Sequence, residues 1–341
     1  MRALRAMTPG RHQVELTEVP EATELQEGEV VVATRAVGVC GSDIHAWHGT
    51  QTYRMSYPVT LGHEAMGVVT RVGPGVSTVQ LGARVVSETA RSVCGVCRPC
   101  REGLYNLCEK RLGFGALCDG AMADSFVTRA QILHGVPDNL SDEIAATAEP
   151  YCVAYNAVVE RARLQPGDAV AVIGPGPIGV FAAQLAAVSG AADVLVAGVR
   201  GDEARLEVSK QFFGATEVLV AEGQWWERPA MASAFDVVFD ASGVSATLEA
   251  AFGLVRAHGQ VVKVGWGREA YGRSLDPLVA KAVNLHGSFS HTWTTWERVV
   301  RLLSLGRLDP RAGLQSYAFS DWHEAFSAMS ERHVLKSVLL L

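Results

Sequence analysis

The chain has 341 residues, of which 48% are hydrophobic and 19% are charged, a composition typical of globular proteins. Its net charge of −6 argues against a nucleic-acid-binding surface, and the absence of any apolar run of about 18 residues argues against a transmembrane helix. The odd number of cysteines, 7, and an N-terminus without a signal-peptide pattern favour the cytoplasm over an oxidising compartment.

Residues 1 to about 150 contain short β-patterned segments that are broken by glycine and proline, for example Glu29–Ala33, Ala65–Val72 and Arg84–Val86. Regular spacing of such segments predicts an antiparallel, barrel-like β domain. From about residue 150, apolar strand patterns alternate with helical patterns, which predicts a parallel α/β sheet. The length of the chain agrees with two domains.

A first group of potential metal ligands lies within the β-patterned half, at Cys40 and at His63-Glu64. A thiolate, an imidazole and a carboxylate are three zinc ligand types, and three ligands leave a fourth position for water or substrate, as in catalytic sites. Glu149 is a further carboxylate that could approach the same ion. Taken singly, Cys40 is equally compatible with a small buried hydrophobe and His63 with an ordinary core or surface histidine.

A second group follows with the spacing C-x2-C-x2-C-x7-C and comprises Cys94, Cys97, Cys100 and Cys108. Four thiolates close a tetrahedron around Zn²⁺ and leave no open position, which predicts a structural site. A disulfide pair and an iron–sulfur site are the alternatives, although the last spacing differs from the bacterial ferredoxin pattern.

A dinucleotide site is predicted where the apolar run Ala169–Ile173 meets a complete G-x-G-x-x-G and then an Ala-rich helical stretch. Glycines at these positions permit a tight turn, close approach of a pyrophosphate and close helix packing. Proline suits the first helical position, and the helix N-terminus favours phosphate. The alternative is a simple turn. The predicted residues are Gly174, Gly176, Pro177, Ile178 and Gly179.

The cofactor choice depends on the end of the next strand, where NAD-specific sites place an acid for the ribose hydroxyls. This chain has Gly198 there, and Arg200 or Arg205 could pair with a 2′-phosphate. The sequence therefore favours NADP over NAD. In the alternative interpretation Arg200 is solvated and Asp202 or Glu203 binds the ribose.

The alternation continues with a strand at Ala234–Asp240, a helix stopped by Gly259 and a strand at Val261–Gly265. Ligands of such sheets bind beyond the carboxyl ends of the strands. Residues at these ends are therefore predicted to line a nicotinamide pocket, with simple strand-end turns as the alternative. They are Ser242, Gly243, Val264 and Gly265.

Together these motifs resemble the medium-chain zinc-dependent alcohol dehydrogenase family, most closely its polyol (sorbitol-type) and threonine dehydrogenase branch, over essentially the whole chain. The resemblance implies an α/β protein: a GroES-like, β-rich catalytic domain (1–150 plus 286–341) and an inserted Rossmann domain with a doubly wound parallel sheet (151–285). It also implies two zinc ions and a homo-oligomer, either a tetramer or a dimer.

The resemblance further implies a role for each candidate. Three residues match the catalytic zinc ligands and four the structural zinc lobe, while one carboxylate can exchange with water or with Glu64, and two residues match a proton relay. These are, in that order, Cys40, His63 and Glu64; Cys94, Cys97, Cys100 and Cys108; Glu149; and Ser42 and His45. The alternative for the relay pair is two polar residues at a helix start.

The expected function is a cytoplasmic, zinc-dependent, NAD(P)-linked oxidoreductase that interconverts a secondary alcohol (a polyol, sugar or amino alcohol) and its ketone by hydride transfer. Its partner is then a small molecule, with no nucleic acid and no membrane. A catalytically inactive relative and a zinc-ribbon binding protein are the alternatives. The complete ligand set counts against the first, and the acidic net charge against the second.

Overall fold

The computed structural model describes residues 1–267 and 269–341. It contains two compact units, the first formed by Met1–Glu149, His291–Gly306 and Leu314–Leu341, and the second by Pro150–Ser290 and Arg307–Gly313. Among the described residues, no helix is both long and apolar enough to cross a bilayer.

The chain begins with β1 (Arg2–Ala6), β2 (Val14–Glu18), β3 (Glu29–Gly38), α1 (Gly41–His48), β4 (Val59–Thr60), β5 (Glu64–Val72), β6 (Arg84–Ser87), β7 (Ala90–Ser92), α2 (Arg98–Arg101), β8 (Leu112–Gly113), β9 (Ser125–Arg129), β10 (Leu133–Gly135) and α3 (Asp142–Ala145). It continues with α4 (Ala148–Tyr155), β11 (Ala169–Ile173), α5 (Pro177–Val188), β12 (Asp193–Gly198), α6 (Glu203–Phe212), β13 (Glu217–Val220), β14 (Phe235–Asp240), α7 (Thr247–Leu254), β15 (Val255–Lys263), α8 (Asp276–Ala280) and β16 (Asn284–Gly287). It ends with α9 (Trp293–Ser304), β17 (Leu314–Ala318), α10 (Trp322–Ser330) and β18 (Lys336–Leu340).

The main sheet of the first unit has the order β10-β6-β5-β3-β18-β17, and β9 also pairs with β3. Every pair is antiparallel except β17 with β18, so the expected antiparallel β domain is confirmed. The register places Gly38 opposite both Glu64 on β5 and Val338 on β18. Three strand ends from distant parts of the chain therefore meet next to the first candidate metal group.

The second unit is built on a six-stranded, fully parallel sheet in the order β13-β12-β11-β14-β15-β16. This is the strand order of the dinucleotide-binding doubly wound fold, as expected. The expected domain border at residues 285/286 falls inside β16, which pairs with β15 in this sheet. The predicted end of the helix at Gly259 is wrong. The helix ends at Leu254, because Val255 already begins β15 and pairs with Phe235.

Candidate zinc centres and dinucleotide site

The first group of candidate ligands converges in the structure. Cys40 follows β3 and is the N-cap of α1, while His63 directly precedes β5 and Glu64 begins it. The ligand atoms of all three lie within 4.8 Å of one another. A sulfur, a nitrogen and a carboxylate oxygen at this spacing fit a zinc ion and leave a position for a further ligand.

The carboxylate of Glu64 occupies space that only a glycine neighbour leaves open. A Cβ atom on Gly38 would lie 2.0 Å from Glu64 Oε2. On its other side Glu64 contacts Lys336 Nζ, and Lys336 also donates a hydrogen bond to Val39 O at 2.7 Å. Lys336 was not predicted from the sequence, since a single lysine at the start of the last strand carries no motif.

The electrostatics around the group favour a cation. Burial lowers the pKa of His63, but the negative charge of Cys40 outweighs it, followed by those of Asp43 and Glu149, and raises the pKa to about 10. Burial likewise opposes the charge of Lys336, yet the carboxylate of Glu64 raises its pKa. An environment that stabilises positive charge this strongly suits a divalent metal ion, which completes the fit of these residues to zinc.

Asp43 fixes the two chain segments that carry the ligands. Its side chain is 2% exposed, and its two carboxylate oxygens accept hydrogen bonds from Cys40 N at 2.9 Å and from Gly62 N at 3.3 Å. These bonds tie the start of α1 to the residue before His63. No role for Asp43 was predicted from the sequence.

Glu149 lies outside the three-residue group, in the first turn of α4, and is 6% exposed. It is close enough to the group to act on the pKa of His63. Its Oε1 is hydrogen-bonded to His291 Nε2 at 3.1 Å. Burial raises the pKa of Glu149, but the bond from His291 and the neighbouring positive charges outweigh it and leave the pKa lowered.

Ser42 and His45 both lie on α1, three residues apart, where side chains share one face of a helix. Cys40, and not Ser42, occupies the N-cap position. Tyr53 donates its hydroxyl hydrogen to the carbonyl of Ser42 at 2.7 Å, and His45 Nδ1 is 2.9 Å from Thr50 Oγ1. The structure therefore orders both residues within the unit that carries the metal group.

The four-cysteine group also converges. The sulfur atoms of Cys94, Cys97, Cys100 and Cys108 lie within 4.8 Å of one another, and all four are free thiols, so the disulfide alternative is not the one adopted. Cys94 Sγ accepts from Cys97 N, and Cys108 Sγ accepts from Cys94 N, both at 3.3 Å. Backbone donors, first that of Val96, lower the pKa of Cys94 to about 6. Sulfur atoms that accept from backbone amides suit thiolate ligands of a structural zinc.

The predicted phosphate turn has the expected geometry in the second unit. Gly176 is the N-cap of α5, Pro177 opens the helix and Ile178 lies in its first turn. Gly174 has φ +102, and a Cβ on Gly179 would lie 2.0 Å from Gly174 O. Both positions therefore require glycine, and the 12-residue helix presents its free N–H groups to a phosphate.

The loops that follow three neighbouring strands pack backbone to backbone. A Cβ on Gly174 would lie 2.8 Å from Ser242 Cα, and one on Gly265 would lie 2.4 Å from Gly243 N. Val264 precedes Gly265 and is 9% exposed. The predicted strand-end residues thus lie together at the carboxyl edge of the sheet, where dinucleotides bind.

A buried carboxylate that the sequence analysis did not single out holds this edge. Asp240 is fully buried and accepts from Ser242 Oγ at 2.8 Å, Thr247 Oγ1 at 3.0 Å and Lys263 Nζ at 2.7 Å. Three donors of this kind fix the turn that begins at Ser242. The only signal in the sequence was an acid at the end of an apolar strand.

The loop after β12 carries both a cation and a carboxylate. Arg200 is paired with Glu222 at 3.3 Å, and the two side chains are 86% and 66% exposed. Asp202 is 6% exposed and accepts from Val199 N at 3.0 Å. A Cβ on Gly198 would lie 2.8 Å from Pro175 Cγ and 3.1 Å from Asp202 Oδ2. Arg205 lies on α6, which starts within this loop.

The sequence matches two known protein families along most of its length. Residues 26–138 match the alcohol dehydrogenase GroES-like domain, and residues 177–304 match the zinc-binding dehydrogenase family. The first match covers both groups of candidate ligands except Glu149, and the second begins at the first residue of α5.

Relatives and solved structures agree with these matches. The chain is 32% identical to D-arabitol-phosphate dehydrogenase of Enterococcus avium (99% of this chain, 97% of the relative) and 32% identical to sorbitol dehydrogenase of Halalkalibacterium halodurans (99% of each). A Sinorhizobium meliloti protein bound to NADP superimposes with TM-score 0.89 at 25% identity (100% and 99% covered). The rspB protein of Escherichia coli CFT073, complexed with NADH, gives 0.90 at 26% (100% and 99%).

Proposed function

The chain belongs to the zinc-type medium-chain alcohol dehydrogenase family, and we propose that it interconverts a secondary alcohol group of a polyol or sugar and the corresponding ketone. In this proposal Cys40, His63 and Glu64 are the ligands of the catalytic zinc. The observation that carries this proposal is the convergence of these three ligand atoms within 4.8 Å. The ligand set leaves room for a substrate oxygen, as a catalytic site requires.

Zinc bound there would supply Lewis-acid chemistry, which lowers the pKa of a substrate hydroxyl. The residues of the chain supply the rest. Ser42 takes the proton that leaves the substrate hydroxyl, and His45 passes it towards solvent; their places on one face of α1 support this order. Glu149 lies beside the metal group, where the hydrogen bond from His291 lowers its pKa and its carboxylate would compete with water for the ion. Hydride acceptance by the nicotinamide is the chemistry of the cofactor.

The four-cysteine group is assigned to a second, structural zinc. Four thiols within 4.8 Å of one another leave no position for a substrate. Its role is therefore to hold the segment from Cys94 to Cys108, which contains only α2 and a 3-10 turn at Tyr105–Leu107 and has little hydrophobic core of its own.

For the cofactor we propose a modest preference for NADP. The lack of a side chain at Gly198 and the cation at Arg200 support this preference. The ion pair of Arg200 with Glu222 makes the preference smaller. The Asp202 carboxylate on the same loop would favour NAD. A charge-assisted hydrogen bond to phosphate contributes about 1.5–3 kcal/mol, so partial neutralisation of the arginine is enough to make the preference small.

The proposal also places the protein in the cytoplasm as a homotetramer or homodimer. The family resemblance supports the assembly, and the cysteine usage supports the reducing compartment. A small-molecule alcohol or ketone is its substrate, as for its dehydrogenase relatives.

The test is a substrate panel on the zinc-loaded protein. Polyols, polyol phosphates, sugars and amino alcohols are each offered with NAD and with NADP, and the absorbance of reduced nicotinamide is followed. Cys40→Ser is compared with Cys118→Ser, a partly buried cysteine outside both metal groups. We expect turnover that Cys40→Ser abolishes and Cys118→Ser retains. Turnover that survives Cys40→Ser, or none with any substrate, would overturn the proposal.

A further inference from the structure

A chain of two hydrogen bonds leads from Glu149 into the core of the first unit. His291 Nε2 lies 3.1 Å from Glu149 Oε1, and Trp296 Nε1 donates to His291 Nδ1 at 2.7 Å. All three side chains are buried, His291 to 2% and Trp296 to 0% exposure. Neither His291 nor Trp296 is a ligand candidate, so the function proposed above leaves both without a role.

The order of these bonds determines where the imidazole carries its proton. An indole N–H can only donate, so His291 Nδ1 has to accept and cannot carry a hydrogen. The single proton of the neutral ring is therefore on Nε2, which donates it to Glu149. A hydrogen on Nδ1 would face the Trp296 N–H and break that bond.

Trp296 is itself held in a fixed orientation. It lies on α9, and its ring stacks on His134 with centroids 5.4 Å apart and planes 6° apart. His134 Nδ1 is in turn 2.6 Å from Glu297 Oε1. The indole meets His291 edge to face, at 5.0 Å and 88°. The donor that sets the tautomer is thus oriented by packing and does not depend on the state of the metal group.

We propose that His291 is the positioning residue for Glu149, locked by Trp296 as the Nε2–H tautomer so that its bond to Oε1 fixes the carboxylate and leaves Oε2 as the oxygen that a metal ion or a water would meet. The proposal rests on the proposed function in one respect, the place of Glu149 beside the zinc. The tautomer and the orientation of the carboxylate stand without it.

The consequence for the site is a limit on what Glu149 can do. The hydrogen bond from His291 holds the carboxylate by Oε1, so an ion or a water would meet Glu149 chiefly through Oε2. Without the donor, the buried carboxylate would lose a bond that stabilises its charged form. It would then be free to turn, and a bound zinc would lose that competing oxygen.

The first experiment measures the tautomer directly. Long-range ¹H–¹⁵N spectra of the zinc-loaded protein distinguish the two neutral tautomers and the imidazolium by the shifts of the ring nitrogens. We expect the Nε2–H pattern for His291 near neutral pH, and a mixture of tautomers in Trp296→Phe, which keeps an aromatic ring but lacks the donor. An Nδ1–H or imidazolium pattern in the wild type would overturn the proposal, whether or not the protein turns over any substrate.

The second experiment tests positioning. His291→Leu removes the donor, while His291→Gln keeps an amide N–H at the reach of Nε2. Loss of a residue that orients a metal-site group typically costs about 10–100-fold in metal affinity or activity. For His291→Leu we expect faster removal of one zinc by a chelator and a lower kcat with little change in KM. In His291→Gln we expect zinc retention and kcat to return most of the way to the wild-type values.

His48→Leu is the matched control, because this histidine of the same unit also uses Nε2, 2.9 Å from Ser330 Oγ, but makes no contact with Glu149. Equal zinc retention and equal kcat in His291→Leu and the wild type would overturn the proposal. A His291→Gln protein that folds but behaves like His291→Leu would do the same, since the role would then be packing. If His291→Leu does not fold, zinc retention and kcat are compared in His291→Gln and Trp296→Phe. Lower values in Trp296→Phe than in His291→Gln would support the proposal, and wild-type values in Trp296→Phe would overturn it.

Discussion

Lys336 Nζ contacts the carboxylate of Glu64 inside the first unit, and both side chains are 1% exposed. The two residues lie at the starts of β18 and β5, on opposite sides of the end of β3. The same ammonium donates to Val39 O at 2.7 Å, one residue before Cys40. The pair therefore connects the three strand ends around the first metal group.

Replacement of Lys336 by methionine should destabilise the protein strongly. Removal of one partner of a buried ion pair leaves an uncompensated charge and costs about 3–5 kcal/mol. Urea unfolding measures this loss, and the double variant Lys336→Met/Glu64→Gln should lose less than the single one. Lys210→Met, at an exposed position of α6, is the control and should stay within about 0.5 kcal/mol of the wild type. An equally small change in Lys336→Met would mean that the pair is not formed.

Gly38→Ala should remove the catalytic zinc site while leaving the fold in place. The new Cβ would lie 2.0 Å from Glu64 Oε2, so the carboxylate has to leave the ligand group. Gly41→Ala is the matched control, since a Cβ there meets nothing within 4 Å. Metal analysis after dialysis should find one zinc fewer in Gly38→Ala than in Gly41→Ala. Equal zinc contents would exclude Glu64 as a ligand.

Two zinc ions per chain with unequal roles are expected. Cys40→Ser should lose one zinc and the activity but keep most of the thermal stability. Cys94→Ser should lose the other zinc and fold or assemble poorly, because binding to a structural site contributes directly to folding. Metal analysis and thermal unfolding of both variants check this. A wild-type protein that holds one zinc, retained in Cys40→Ser, would show that the upstream residues bind no metal.

Ser42→Ala should lower kcat by about 10²–10⁴-fold, the usual contribution of a proton-transfer group. Binding of the dinucleotide should change little in comparison. Ser56→Ala, an exposed serine whose Oγ donates to Leu117 O at 3.4 Å, is the control. Steady-state kinetics and cofactor titration separate the two effects. A near-normal kcat across neutral pH in Ser42→Ala would rule the relay role out.

Cofactor preference should respond to Arg200 and Glu222 in opposite directions. Arg200→Ala should erase most of the preference for NADP in kcat/KM, and Glu222→Ala should increase it, since it releases the guanidinium from its 3.3 Å ion pair. A wild-type protein that favours NAD by about tenfold would contradict this, and Asp202 would then be the residue that binds the ribose.

Gly198→Asp should not be a clean route to NAD specificity. Its Cβ would approach Pro175 Cγ to 2.8 Å and the buried Asp202 carboxylate to 3.1 Å, so the loop has to shift and two carboxylates become neighbours. We expect a lower melting temperature and weaker binding of both cofactors. A stable Gly198→Asp variant with improved NAD binding would show that the loop adapts.

The sequence alone identified what short segments can encode. The four cysteines, the glycine-rich turn and the β12 segment each lie within a few residues, so spacing and residue type were enough to predict a thiolate group and a phosphate turn. The parallel sheet of the second unit followed from the alternation of strands and helices, whereas its strand order came only from the structure. The end of α7 was missed, because pairing of Val255 with Phe235 overrides the local helical pattern.

Only the tertiary structure decided which distant residues contact the residues of the candidate sites. Lys336 reaches Glu64, and His291 with Trp296 reaches Glu149, because strand register and helix packing bring together residues that no motif connects. The positions of Asp202 and Glu222 beside Gly198 and Arg200 are likewise a matter of loop geometry. Ligand type is a property of the residue and can be read from the chain. Charge compensation and hydrogen-bond direction depend on which groups the fold buries side by side.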